Sequence, residues 1–199
     1  MSAHAPTVES FAAFVDCDLV TQAIAGRESG FEELVRRYQR PIASYVYRMT
    51  GDYEAALDLT QEVFIKVYNS LARYRPEYKF STWIYRIAHN TAIDHLRRHS
   101  THELDLAIDE HGHERPILSG AMTPEQESER AERRAEIEDV VRALPESYRE
   151  LIILRHAHDL SYDEIAEVTG LPLGTVKNRI FRAREAMRLP LIERGITSV

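Results

Sequence analysis

Cysteine is almost missing from this chain: Cys17 is the only one in 199 residues. A lone thiol excludes an intrachain disulfide and a cysteine-rich zinc site, and the expectation for Cys17 is a small half-buried residue near a helix start. Long apolar runs are missing as well. None approaches the roughly 20 residues that cross a bilayer, and the N-terminus lacks the charged-then-apolar layout of a secretory signal. No membrane insertion and a cytoplasmic location are therefore expected. No segment alternates convincingly as a strand, and no repeat of fixed period is found. Positive charge is in deficit too, with a formal net charge of −7. Phosphate neutralisation supplies most non-specific DNA affinity, so such a chain alone is a poor binder of arbitrary DNA. Nucleophile–base pairs, phosphate-cradling glycine loops and metal-ligand spacings are absent, which removes the residues an enzyme would need. No catalytic residue, cofactor or metal is expected.

What remains is helical periodicity. Residues 1–15 read as a tail, and a helix from about Asp16 to Ala25 ends near Gly26. Phe31, Leu34, Val35, Tyr38, Ile42, Tyr45, Val46 and Met49 keep helical spacing to Gly51, with Pro41 expected to kink the segment. Further helices are predicted from about Asp52 to Ala72 and from Ser81 to Arg98. Residues 99–122 lack periodicity and carry Gly, Pro and Ser, which marks a linker. His99, His102, His111 and His113 fall in it, but without cysteines or an ordered scaffold they make a poor metal site. Helices from about Thr123 to Ala143 and from Glu146 to His156 then lead to a final pair. The expected fold is all-α: an N-terminal bundle over 16–98, a linker, and a smaller C-terminal bundle over 123–199.

The final pair is the most informative segment. Ser161 with Glu164 three residues on makes a capping box, Gly170 ends a short helix, and Pro172 and Gly174 punctuate the turn to a second. Val176, Ile180, Ala183 and Met187 share one face of that second helix, while Lys177, Asn178, Phe181 and Arg182 fall on the other. An aromatic outward among Lys, Asn and Arg suits a helix lying in a major groove, where rings meet thymine methyls. A short structural hairpin with a basic face is the plainer alternative.

Two more faces stand out. On the third helix Ala56, Leu59, Val63, Val67 and Leu71 form the buried stripe, while Asp58, Gln61, Glu62 and Ile65 fall together elsewhere. An apolar anchor inside a polar rim fits a protein-docking surface, and a solvated face with one stray Ile fits the spacing equally. On the fourth helix Ile84, Ile87, Ala88, Thr91 and His95 take the core side, His95 as a packed, hydrogen-bonded histidine. Trp83, Arg86, Asn90 and Arg97 share an adjacent face suited to single-stranded nucleic acid, through ring stacking, phosphate contacts and base-edge reading. A Trp that only caps the core, beside solvated arginines, is the competing reading.

Asp58-Leu-Thr-Gln-Glu-Val-Phe64 and Phe80-Ser-Thr-Trp-Ile-Tyr-Arg-Ile-Ala-His-Asn-Thr-Ala92 together resemble region 2 of bacterial extracytoplasmic-function (ECF) sigma factors. Ala143-Leu-Pro-Glu-Ser-Tyr-Arg-Glu150 with the helix-turn-helix resembles their region 4. The resemblance spans about Asp18 to Arg188. It implies that Asp58, Gln61, Glu62 and Ile65 dock on the β′ clamp helices of core RNA polymerase. It implies that Tyr74 and Asn90 hold a flipped base of the promoter −10 element, and that Trp83, Arg86, Arg97 and Arg98 line the path of the melted strand. Thr175, Lys177, Asn178, Phe181 and Arg182 are implied to read the −35 element, with region 4 meeting the β flap. A monomer controlled by an anti-sigma factor is the expected form. The alternative from another class is a stand-alone helix-turn-helix regulator whose N-terminal bundle senses or dimerises.

Overall fold

The computed structural model describes residues 15–100 and 124–196, and every described element is helical. α1 (Asp16–Ile24), α2 (Glu28–Thr50), α3 (Tyr53–Ser70), a 3-10 turn (Leu71–Arg73) and α4 (Phe80–Ser100) form the N-terminal set. α5 (Pro124–Arg142), α6 (Glu146–Ile152), a π turn (Ile153–Ala157), α7 (Tyr162–Thr169) and α8 (Leu173–Glu193) form the C-terminal set. The expected tail, the linker with His102, His111 and His113, and Thr123 fall almost wholly outside the described residues.

Local chemistry sets the boundaries. α2 stops where Gly51 takes a left-handed conformation (φ +74°) and returns its N–H to the Tyr47 carbonyl. Asp52 then caps α3, its carboxylate accepting from the Ala55 N–H at 3.1 Å. Pro41, the expected kink, sits inside α2 without ending it. Its ring removes one hydrogen bond, and the flanking buried side chains Leu34, Ile42, Tyr45, Val46 and Met49 hold the helix through the gap. α1 and α2 approach so closely at Gly30 that a Cβ there would lie 2.6 Å from the Leu19 carbonyl oxygen. Cys17, expected half-buried, is exposed on α1.

α3 buries Ala56, Leu59, Val63 and Val67 as its spacing predicts, and Leu71 follows on the 3-10 turn. α4 departs from expectation. Ile84, Ala88, Thr91 and Ala92 face the N-terminal helices, but Thr82, Tyr85 and His89 are buried too, on a second side. That second side is covered by the C-terminal set, chiefly by α7, while α2 meets α6 and the π turn. The buried apolar residues of both sets consequently form one continuous cluster from Leu19 to Ile196. His95, expected in the core, is half-buried with its ring stacked on His99 at 4.1 Å. The packed histidine of α4 is His89, 9% exposed.

Candidate nucleic-acid and polymerase-docking faces

The helix-turn-helix is built as its residues predict. Ser161 Oγ accepts from the Glu164 N–H (3.2 Å) and Glu164 Oε2 accepts from the Ser161 N–H (2.8 Å), so both halves of the capping box are made. Gly170 closes α7 in the left-handed region (φ +71°). Ahead of α7, Asp159 takes φ +54°, and Arg155 straps the corner by donating to the Leu160 carbonyl and lying over the Tyr162 ring. Val176, Ile180, Ala183 and Met187 are buried, which fixes the rotation of α8. Lys177, Asn178 and Arg182 are exposed and Thr175 is half-buried. Phe181 projects outward, 66% exposed. Tyr148, Gly174, Thr175, Asn178, Arg179 and Arg182 border a polar depression beside this face. Tyr148 belongs to α6, whose own spacing gave no sign of it.

On α3, Asp58 and Gln61 are exposed and Ile65 is 60% exposed. Glu62 is half-buried and paired with Lys66 at 2.7 Å, and Lys66 also donates to Thr91 Oγ1 across to α4 (2.9 Å). Ile65 is not a stray. Leu57 and Tyr68 are also exposed, and at 100° per residue Leu57, Gln61, Ile65 and Tyr68 fall within about 80° of arc. Sequence reasoning missed the two flanking residues because it counted the heptad only around the acidic side chains.

Along α4 the expected group is partly assembled, from Trp83 in the first turns to Arg97 and Arg98 in the last. Arg86, Asn90, Arg97 and Arg98 are exposed. Arg97 pairs with Asp94 at 3.0 Å, and Arg98 donates to the Asp94 carbonyl. Trp83 is half-buried against Tyr74 (5.4 Å) and Phe80 (5.6 Å). Tyr74, implied with Asn90 to hold a flipped base, lies mostly inside the fold. It is 9% exposed, and its hydroxyl donates to the Tyr78 carbonyl at 2.6 Å. Burial raises its pKa. Asn90 lies seven residues beyond Trp83, about 10 Å along the helix axis, whereas Tyr74 sits at the Trp83 end. The exposed aromatic of this loop is Tyr78, at 52%.

Comparison with known proteins matches two family regions, in this order, to the two helical sets. The family model for sigma-70 region 2 matches residues 34–102, and that for sigma-70 region 4 matches residues 134–187. The RNA polymerase sigma-H factor of Pseudomonas aeruginosa is 38% identical over 176 residues, covering 86% of this chain and 91% of that protein. The ECF RNA polymerase sigma-E factor of Escherichia coli is 39% identical over 183 residues, covering 88% and 95%. The SigW ECF factor of Bacillus subtilis is 35% identical over 178 residues, covering 86% and 94%. Among solved structures, CnrH in complex with the cytosolic domain of CnrY superposes with a TM-score of 0.65 at 24% identity, over 89% of this chain and 97% of that one. The sigma factor RpoE of Bartonella quintana, solved with the anti-sigma factor NepR, gives 0.67 at 20%, over 81% and 96%. These two establish the fold, and the closer relatives, matched over nearly their full length, establish the kinship. With a capped helix-turn-helix at one end and a region 2 helical set at the other, the chain belongs to the ECF family of RNA polymerase sigma factors.

Proposed function

We propose that this protein confers promoter specificity on core RNA polymerase through three faces with separate duties. The α3 face (Leu57, Asp58, Gln61, Glu62, Ile65, Tyr68) docks on the β′ clamp helices, with the apolar stripe as anchor and the acidic groups as rim. The α4 face (Trp83, Arg86, Asn90, Arg97, Arg98) receives the melted non-template strand of the −10 element. Tyr74 contributes by bracing Trp83. Aromatic stacking is worth about 1–3 kcal/mol per base, comparable to the cost of unstacking one, so capture shifts the melting equilibrium. The α8 face (Thr175, Lys177, Asn178, Phe181, Arg182) reads the −35 duplex in the major groove. The 16–98 and 123–199 units act at opposite ends of the promoter, with 99–122 as the tether, and region 4 rests on the β flap.

The observation that carries this reading is Phe181, two-thirds exposed on a helix whose opposite face is buried, in a chain of net charge −7. An acidic protein gains little from phosphates alone, so its DNA reading fits a subunit to which polymerase lends the backbone contacts. Control by an anti-sigma factor follows from the same logic, since one partner covering these faces silences them together. Transcription from a randomised promoter library with purified core polymerase tests the proposal. Initiation from templates sharing two spaced motifs is the expected result. Absence of initiation on every template overturns it.

A further inference from the structure

The boundary between the two helical sets is polar at its centre. Tyr45 of α2 is fully buried, its hydroxyl 3.3 Å from His89 Nδ1 of α4 and its ring against Tyr85 and His158. The Tyr85 hydroxyl lies 2.7 Å from His158 Nδ1, just past the π turn. Glu150 of α6, 6% exposed, faces His89 at 3.6 Å. Arg48 of α2 stands near His158 and pairs with Glu138 of α5 at 2.9 Å. Glu146 of α6 and Arg179 of α8 act on Glu150 with opposite signs. Arg149 Nε and His158 Nε2 are buried with no hydrogen-bond partner among the described residues.

This interface holds two imidazoles, and one of them, His158, has no acceptor for a second proton among the described residues. Among the described residues His158 Nε2 has nothing to donate to, with the Arg48 guanidinium nearby, whereas His89 contacts Tyr45 and Glu150 and borders a cavity it shares with Glu146 and Ser147. At 3.6 Å the His89–Glu150 contact is longer than a hydrogen bond. Burial pushes both histidines down to about 4, with Arg48 adding to the effect on His158. Burial raises Glu150 to about 7, with Glu146 adding and Arg179 opposing. Below about pH 7 the contact is thus a neutral pair with the proton on the carboxyl, not a salt bridge.

We propose that Tyr45, Tyr85, His89, Glu150 and His158 form a protonation-sensitive latch that holds the two helical sets together in the free protein and releases them on acidification. The closure itself does not depend on the promoter assignment; its consequence for transcription rests on that reading. Elements named −35 and −10 are separated by roughly 25 base pairs, on the order of 85 Å of duplex at 3.4 Å per step. Lys79 beside α4 and Glu164 of the helix-turn-helix touch at 2.8 Å. The latched form therefore cannot bridge a promoter, and it must open to work.

Opening wets both imidazoles and the carboxyl, which return to ordinary values of 6.5 and 4.5. Between those two values the open form holds two histidine protons that the closed form lacks. It lacks one carboxyl proton that the closed form holds. Opening takes up one net proton, so its equilibrium constant rises by up to about tenfold per pH unit of acidification. Glu150 thereby damps the response of the histidines.

The test is single-molecule energy transfer at nanomolar concentration in the full chain, carrying Cys17→Ser with dyes on Glu77→Cys and Glu167→Cys, both exposed positions. High transfer at pH 7.5 that falls toward pH 5 is expected, with helicity unchanged by circular dichroism. In Glu150→Gln the fall steepens toward about a hundredfold per pH unit, because the opposing proton is gone. With His89→Gln and His158→Gln together the dependence reverses, and acid tightens closure. Low transfer at pH 7.5, a flat profile, or a Glu150→Gln slope no steeper than the parent overturns the latch. If the double variant does not fold, the parent and Glu150→Gln slopes decide the matter.

Discussion

Glu164 and Lys79 are 85 positions apart, and one carboxylate serves both a helix end and a domain boundary: Oε2 accepts from the Ser161 N–H while Oε1 accepts from Lys79 Nζ at 2.8 Å. Burial pushes its pKa up, but the Lys79 hydrogen bond and then the two Ser161 contacts together outweigh that and lower it. The residue that starts the DNA-reading motif is thus also one that ties it to the other half of the chain. Glu164→Ala removes both bonds and is expected to cost about 1 kcal/mol of C-terminal stability through the lost cap. Lys79→Ala leaves the cap intact and its unfolding midpoint unchanged. Urea titrations of the two variants separate the roles, and equal losses would contradict the assignment.

The α3 stripe predicts a division between anchor and rim. Ile65→Ala and Leu57→Ala remove exposed apolar groups and are expected to weaken core polymerase binding by about tenfold each, while leaving the thermal midpoint within a degree or two. Charge reversal at Asp58 is expected to act mainly on the association rate and its salt dependence. Biolayer kinetics with core polymerase at two ionic strengths distinguish these effects.

Phe181 and Ile180 are adjacent on α8 yet differ sharply in exposure, 66% and 1%. Ile180→Ala opens a cavity and is expected to destabilise the fold by about 2–5 kcal/mol. Phe181→Ala is expected to leave unfolding unchanged and to lower transcription about tenfold on promoters with an intact −35 element. On templates whose −35 element is already scrambled, the loss disappears. A uniform loss on both template sets would show that the ring does not read sequence.

Glu33 supplies an acid-sensitive brace within α2. Arg36 donates to both carboxylate oxygens (2.6 and 2.7 Å), Arg37 adds a bond at 2.9 Å, and Arg37 continues to Asp16 of α1. Hydrogen bonding by Arg36, then by Arg37, lowers the Glu33 pKa to about 2 against the desolvating effect of burial. A depressed carboxylate stabilises the fold fully above its ordinary value of 4.5, and that contribution is lost as pH falls from there toward about 2. Glu33→Gln is expected to be less stable at pH 7 and to show a shallower loss of stability below pH 4.5. Thermal melts from pH 7 to pH 2.5 check both.

Much of this molecule is legible from spacing, because helices whose one face is buried announce that face. Val176, Ile180, Ala183 and Met187, and the stripe from Ala56 to Val67, carry a single burial direction and lie as expected. The capping box and Gly170 encode their helix ends locally. α4 fails the same treatment because it is buried on two sides by chain segments far away in sequence. One-sided periodicity then assigns His95 to the core and passes over Tyr85 and His89. His89 and Glu150 are 61 positions apart and Tyr85 and His158 are 73 apart, and no local rule marks such pairs. Tyr74, which the resemblance implies to hold a flipped base with Asn90, is 9% exposed, its hydroxyl bonded to the Tyr78 carbonyl four residues on. The π turn at Ile153–Ala157 widens what spacing took for an ordinary helix, because a wider turn differs from α by one residue of register.

The unbroken cluster from Leu19 to Ile196 carries a cost for any cell that makes this protein in excess of its receiver. The proposed separation bares buried side chains on both halves, so a molecule that lets go with no enzyme waiting becomes a substrate for proteases and chaperones. Keeping itself folded shut is therefore also how an idle copy survives.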